Sequence, residues 1–231
     1  PRSTQGVSSA ASEVYKRQLF RHGCNSAPGF HLPKMQGHPG NQRHILYIAH
    51  ATYDPKFAPS ACTQSINQWI IGKLINTARQ VESGIEDYKF NEAAGSIYQF
   101  IWGTFCDWYV EFSKPVFLGD DKEATVETKA TAGWVLCQVL KLLQPFMPYI
   151  SEELWQKLAF GEDTKLINSS WPEFENLSSS SEVDTEMDWV VELISQVRSL
   201  RVEMNVPLQA KVPLKILNAE DTAITACERH G

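Results

Sequence analysis

The stretch Tyr88 to Phe117, YKFNEAAGSIYQFIWGTFCDWYVEFSKPVF, decides the fold. Within it Ala94, Ile97, Ile101, Phe105, Trp108 and Phe112 recur at intervals of three and four, the apolar stripe of an amphipathic helix. The spacing predicts one helix over about 91–113, ended by Pro115, whose ring blocks the backbone ladder. At helical spacing, Trp102, Phe105 and Trp108 read as core and not as platforms for stacking.

The same period extends outward on both sides. Ile66, Ile70, Leu74, Thr77, Val81 and Ile85 predict a preceding helix that frays at Gly84 and Asp87. Downstream, Asp120 or Asp121 caps a helix carrying Ala132, Val135, Val139, Leu143 and Phe146, which Pro145 and Pro148 close. Ser151 opens a short helix with Leu154, Trp155 and Leu158, its Glu152 and Glu153 placed at the positive end of the dipole. Short connections between such helices give an antiparallel bundle. A Ser-rich connector over 161–183 holds one Trp171-Pro172 element. Thr185 with Asp188 then predicts a capping-box start for a last helix with the stripe Val190, Leu193, Val197, Leu200 and Met204, stopped by Val206-Pro207. Val212 to Leu217 alternates like a strand, and no internal repeat is present.

The expected fold class is therefore mainly α: an antiparallel helix bundle followed by a small α/β junction element. Three regions follow. Residues 1–51, rich in Gly, Pro, Ser, His and Arg and without period, are unassigned and expected to be a disordered or non-native leader. Residues 52–177 form the bundle. Residues 178–231 form a connector helix and the start of a C-terminal α/β element, expected to be truncated.

Composition bounds the function classes. Of the 231 residues, 43% are apolar and 11% aromatic, which is the make-up of a folded chain. With no apolar run near the ~20 residues that cross a bilayer and no signal-peptide pattern, the expected compartment is cytoplasm, with no membrane partner. The net charge of −6 is unevenly spread: residues 1–60 carry a balance of +5 and residues 61–231 one of −11. A generic nucleic-acid-coating protein is basic throughout, so any nucleic-acid contact here uses a local patch and shape. Five widely spaced cysteines with no Cys-x-x-Cys indicate neither a disulfide framework nor a zinc knuckle, and Cys106 and Cys137 read as core thiols. Five of the six histidines fall before residue 51, at spacings that match no familiar metal-ligand pattern. From residue 51 to 229 no histidine is available for a triad or an acid–base pair, and no Gly-rich phosphate loop is present. No catalytic residue, metal ligand or cofactor site is assigned.

The string Phe105-Cys106-Asp107-Trp108-Tyr109, followed by Lys114-Pro115, resembles the anticodon-binding part of bacterial-type valyl-tRNA synthetases, class I enzymes whose isoleucyl and leucyl relatives differ there. INQWIIGKL (66–74), LKLLQPFMPYISEELWQKL (140–158) and RSLRVEMNVPLQAKVPL (198–214) are similar to the same family in the same order. Together these cover roughly residues 60–217. Residues 66–74 depart from the family in reading Asn-Gln-Trp where Asn-Arg-Trp is common. The resemblance implies tRNA(Val) as partner and, in the full protein, attachment of valine to it using ATP with Mg, editing of mischarged threonine elsewhere, and a monomer. The His-Ile-Gly-His-type and Lys-Met-Ser-Lys-Ser-type signatures are absent, so the catalytic domain of the same polypeptide is an implied partner. A helical scaffold or protein-interaction module derived from the bundle is the alternative.

An anticodon reader needs stacking groups, hydrogen-bonding edges and cations for phosphates. Lys73, Arg79, Lys89, Phe90 and Asn91, on and around the loop between the first two helices, offer all three and are the candidate tRNA-binding residues. Because both nucleotide-binding signatures lie outside it, this chain is expected to catalyse no valine-dependent exchange of pyrophosphate with ATP. Exchange activity that co-elutes with the pure protein on a size column would contradict this.

Overall fold

The computed structural model describes residues 54, 56–158, 160, 165–174, 177, 181–207, 210–213, 215–216, 224 and 226. The expectations placed on residues 1–51 lie outside the described residues. Among the described residues six α-helices follow one another: α1 (Ser65–Glu86), α2 (Phe90–Gln99), α3 (Val110–Leu118), α4 (Lys122–Leu143), α5 (Pro148–Lys157) and α6 (Ser181–Glu203). A π-helical segment, Phe100–Tyr109, joins α2 to α3 into one continuous rod, and short 3-10 turns lie at Pro59–Ala61 and Leu166–Asn168. No strand occurs among the described residues, so Val212, Pro213, Lys215 and Ile216 do not form the expected ladder.

The π-helical segment moves the buried stripe away from the predicted one. A π-helix bonds each amide to the fifth residue back, so its inward positions spread apart. The buried positions are Ala93, Ile97, Phe100, Phe105, Tyr109 and Ser113, including one interval of five. Ala94, Ile101, Trp108 and Phe112, expected in the core, are half-buried at its margin. Nor does Pro115 end the rod. It lacks only its own donor, and its carbonyl still accepts from Gly119 N at 2.9 Å, so α3 runs on to Leu118. α5 begins at Pro148, where a missing amide hydrogen costs nothing in a first turn, and not at Ser151, whose hydroxyl bonds Met147 O at 2.9 Å. α6 likewise begins at Ser181, four residues before the expected cap; the Thr185 hydroxyl bonds Ser181 O at 2.7 Å from inside the helix. The expected Asp121 cap is present, its Oδ1 accepting from Ala124 N at 2.9 Å.

α1 is the central helix and is buried on most sides: Ile71 and Ile75 pack with Cys62, and Ile66, Trp69, Ile70, Leu74, Ala78 and Val81 line the main core. These pack with Ala93, Ile97, Phe100, Phe105 and Tyr109 of the rod, with Val135, Val139, Leu142 and Leu143 of α4, and with Met187 of α6. A smaller core lies under α5, where Trp155, Leu158, Phe160 and Leu166 meet Cys137 and Leu140. The Glu152 carboxylate closes it by accepting from Leu166 N at 3.2 Å and Ile167 N at 3.4 Å, so this residue does more than complement a dipole.

Three elements are held in register by polar side chains. Asn67, fully buried on α1, donates to Glu127 Oε1 at 2.8 Å and Thr128 Oγ1 at 3.1 Å, both on α4. The Tyr109 hydroxyl of the rod donates to Asn67 Oδ1 at 2.9 Å and lies 3.2 Å from Thr128 O. Glu127 also accepts from Thr63 N, Thr63 Oγ1 and Gln64 N at 3.0, 2.7 and 3.0 Å. It thereby caps the start of α1 from a neighbouring helix, which Gln64 does not do itself. Partial burial of the Glu127 carboxyl pushes its pKa up, but the bonds from Asn67, Thr63 and Gln64 outweigh this and hold it below the ordinary 4.5.

A group with a lowered folded pKa stabilises the fold above its unfolded value, and this is lost as pH falls through the folded value. Glu127 should therefore contribute stability at neutral pH that disappears below about pH 4.5. Chemical denaturation against pH should show a shallower acid limb in Glu127→Gln. Tyr109→Phe should cost about 1–2 kcal/mol at any pH, because it leaves the buried Asn67 oxygen short of a donor.

Candidate nucleic-acid interface

The candidate residues surround the corner where α1 turns into α2. α1 closes with Lys89 N donating to Gly84 O at 2.7 Å and Tyr88 N to Ile85 O at 3.1 Å. The six-to-one closure is that of a Schellman cap, which needs a left-handed residue just past the helix. That residue is Tyr88, with φ at 60°. Glycine adopts this conformation freely, whereas a side chain there costs roughly 1–2 kcal/mol. Gly84 lets the two helices approach, since a Cβ there would meet Ala93 Cβ at 3.0 Å and Ala93 N at 3.2 Å. Lys89 O then accepts from Glu92 N and Ala93 N at 3.0 and 3.1 Å, starting α2.

The corner displays two rings. Tyr88 is 82% exposed and Phe90 51% exposed, and they meet edge to face, with centroids 6.3 Å apart and planes at 90°. Phe90 therefore packs on Tyr88 and not into the core. Lys89 and Asn91 are exposed beside them, and Arg79 is exposed two turns earlier on α1. Lys89 Nζ lies 3.2 Å from Asp87 Oδ2, and the hydrogen bond and charge of Asp87 raise its pKa, so it remains a cation. Glu82, Glu86, Asp87 and Glu92 are also exposed here, and the corner is thus mixed in charge and aromatic in character.

Lys73 is not brought to this corner. Its ammonium lies 2.6 Å from Asp188 Oδ2 of α6 and 6.0 Å from the Trp69 ring, while Trp69 Nε1 donates to Asp188 Oδ1 at 3.1 Å. Lys73 is part of the α1–α6 joint, and Asp188 is its anchor. Tyr88 is outside the sequence-predicted set although it adjoins two members of it. Nothing in the pattern of apolar residues distinguishes a left-handed exposed tyrosine from one at a helix end.

Nucleophiles are no better placed than the sequence suggests. Burial pushes the Cys106 thiol up to about 12, helped by the charge of Asp107, and burial also raises Cys62. Among the described residues no group of three His, Cys, Asp or Glu side chains could hold a metal ion, and no helix is long and apolar enough to cross a membrane.

The family model of the anticodon-binding domain of tRNA ligase matches residues 67–216. The chain belongs to this family. It is similar to the valine–tRNA ligase of Caulobacter vibrioides, 46% identical over 177 residues, which is 75% of this chain and 20% of that protein. It is similar to that of Brucella suis biovar 1, 44% identical over 181 residues, 76% of this chain and 20% of that protein. The Rhizobium meliloti valine–tRNA ligase is 44% identical over 178 residues, 76% of this chain and 19% of that protein. The chain thus spans about a fifth of the length of the curated relatives it matches. In this anticodon-binding domain the matched span contains the corner, the π-helical segment and the α1–α6 joint.

Two substitutions separate a packing requirement from a functional one. Gly84→Val should destabilise by about 1–3 kcal/mol, because Ala93 leaves no room. Tyr88→Gly should stabilise by about 1 kcal/mol in thermal or chemical denaturation, by releasing the left-handed strain. A loss of stability in Tyr88→Gly would mean that the ring is held for packing.

Proposed function

We propose that this chain is the tRNA(Val)-reading portion of a valine–tRNA ligase and that it contacts the anticodon loop through the α1–α2 corner. The observation that carries this reading is the Tyr88–Phe90 pair, set on a backbone that bears strain in order to expose it, within a span that matches an anticodon-binding family. Bases of an anticodon loop are unstacked, and each offers a face to an aromatic ring. Asn91 adds a donor and acceptor for base edges, and Arg79 and Lys89 add charge for the phosphates on either side. Lys73 contributes indirectly, by fastening α6 to α1.

Attachment of valine, using ATP with Mg, would belong to a catalytic part of the same polypeptide, whose two nucleotide-binding signatures have no counterpart in these residues. This chain supplies recognition, as a monomer, in the cytoplasm. With few cations against an acidic background, base contacts contribute more than phosphate contacts.

The test is a binding titration with matched and anticodon-swapped tRNA over a range of salt. Phe90→Ala should remove roughly 1–3 kcal/mol of affinity, chiefly for the matched tRNA, with little change in melting because the ring is half-exposed. Lys89→Ala should weaken both tRNAs about equally and flatten the salt slope by about 0.7, the contribution of one phosphate on single-stranded RNA. Salt-insensitive, anticodon-independent behaviour would favour the scaffold alternative.

A further inference from the structure

We infer that a second turn, between α4 and α5, supplies a further base-stacking residue, Tyr149, to the same end of the bundle as Tyr88 and Phe90. The inference rests on the proposed anticodon reading and extends it to a residue that none of the candidate positions includes.

Topology places the two turns together. Glu127, near the start of α4, hydrogen-bonds Thr63 and Gln64 at the start of α1, so α1 and α4 begin at one end. Both run for 22 residues, and the rod of α2, the π-helical segment and α3 returns antiparallel between them. The α1–α2 corner and the α4–α5 turn therefore lie at the same, far end of the bundle. The packing agrees, since α2, which leaves the corner, touches α4 as well as α1, and Phe146 and Met147 of the second turn pack against the shared core.

The α4–α5 turn is a firm mount. Phe146 N and Met147 N both donate to Leu143 O, at 3.0 and 2.9 Å, and Ser151 donates twice to Met147 O, from its amide at 3.1 Å and its hydroxyl at 2.9 Å. Pro148 starts α5 with a fixed φ. On this mount Tyr149 is 86% exposed, although the neighbouring Phe146 and Met147 turn inward. A large aromatic ring held out on a rigid turn loses little further freedom on binding. Two ordered turns thus present three exposed rings at one end, the kind of surface on which unpaired bases stack. Their surroundings are not basic enough to hold a duplex by its phosphates, and this favours a single-stranded loop over a stem.

The test uses the whole chain, an RNA hairpin carrying the tRNA(Val) anticodon loop, and the same hairpin with abasic loop positions. Tyr149→Ala should weaken the intact hairpin about 5- to 150-fold, Tyr149→Phe should restore it, and neither should alter melting. On the abasic hairpin, already weaker, Tyr149→Ala should have no effect. If Phe90→Ala weakens binding and Tyr149→Ala does not, the second turn is excluded while the corner reading stands. If Tyr149→Ala weakens the abasic hairpin equally, the ring does not stack on bases and the inference fails. If the intact hairpin is not bound at all, both readings fall together.

Discussion

The buried carboxamide of Asn67 is the contact on which the rest of the bundle depends. It has no solvent of its own, so each of its donors and acceptors must be met by protein, and unmet ones would each cost about 1–3 kcal/mol. Glu127 and Thr128 on one side and Tyr109 on the other meet them. Apolar surfaces tolerate sliding by a residue or a rotation, whereas a hydrogen-bonded amide does not. Three elements are thereby held at one relative height. That height places the α1–α2 corner and the α4–α5 turn at the same end. The π-helical segment serves the same contact, since its wide spacing brings Phe105 and Tyr109 inward together, their rings stacked at 5.5 Å.

At the far end the constraint is reversed. The α1–α2 corner gives up stability, holding a tyrosine where glycine would be unstrained, and exposes two rings that the core could have used. Sites where local chemistry disagrees with the fold are where function is to be sought. The Asn205 cap of α6 offers an instructive contrast. It repeats the same six-to-one closure, Val206 N to Arg201 O at 2.9 Å with φ at 53°, but uses asparagine, which tolerates that conformation.

Charge bears on the proposed contact with RNA. A chain with a net charge of −6 gains little from long-range attraction to RNA, and its cations are partly spent internally. Lys73 is held by Asp188, Lys114 by Glu111 at 2.6 Å, and Arg201 by the carbonyls of Pro207 and Ala210 at 2.8 and 3.0 Å. The proposed recognition therefore relies on rings and edges. The later turns of α6 stay uncovered among the described residues, with Leu200 54% and Met204 67% exposed, although their spacing continues an apolar stripe.

By itself the sequence determined the class of fold, because periodic apolar residues, Asp121 as a cap and short connections admit few arrangements other than an antiparallel bundle. It also determined the family, through Phe105 to Tyr109, and named Lys89, Phe90 and Asn91, which the structure leaves exposed at the α1–α2 corner. Tertiary structure decided the rest, since each remaining question concerned partners distant in the chain. The hydroxyl of Tyr109 finds Asn67 42 residues away, and Trp69 finds Asp188 119 residues away. A period of 3.6 cannot anticipate a π-helical stretch, and so the buried stripe shifted from Trp108 to Tyr109. Lys73 is among the cations expected around the α1–α2 loop, and only packing ties it to Asp188 of α6, just as only packing turns Tyr149 outward. Spacing along a chain reports which residues share a face; only packing reports which face meets solvent.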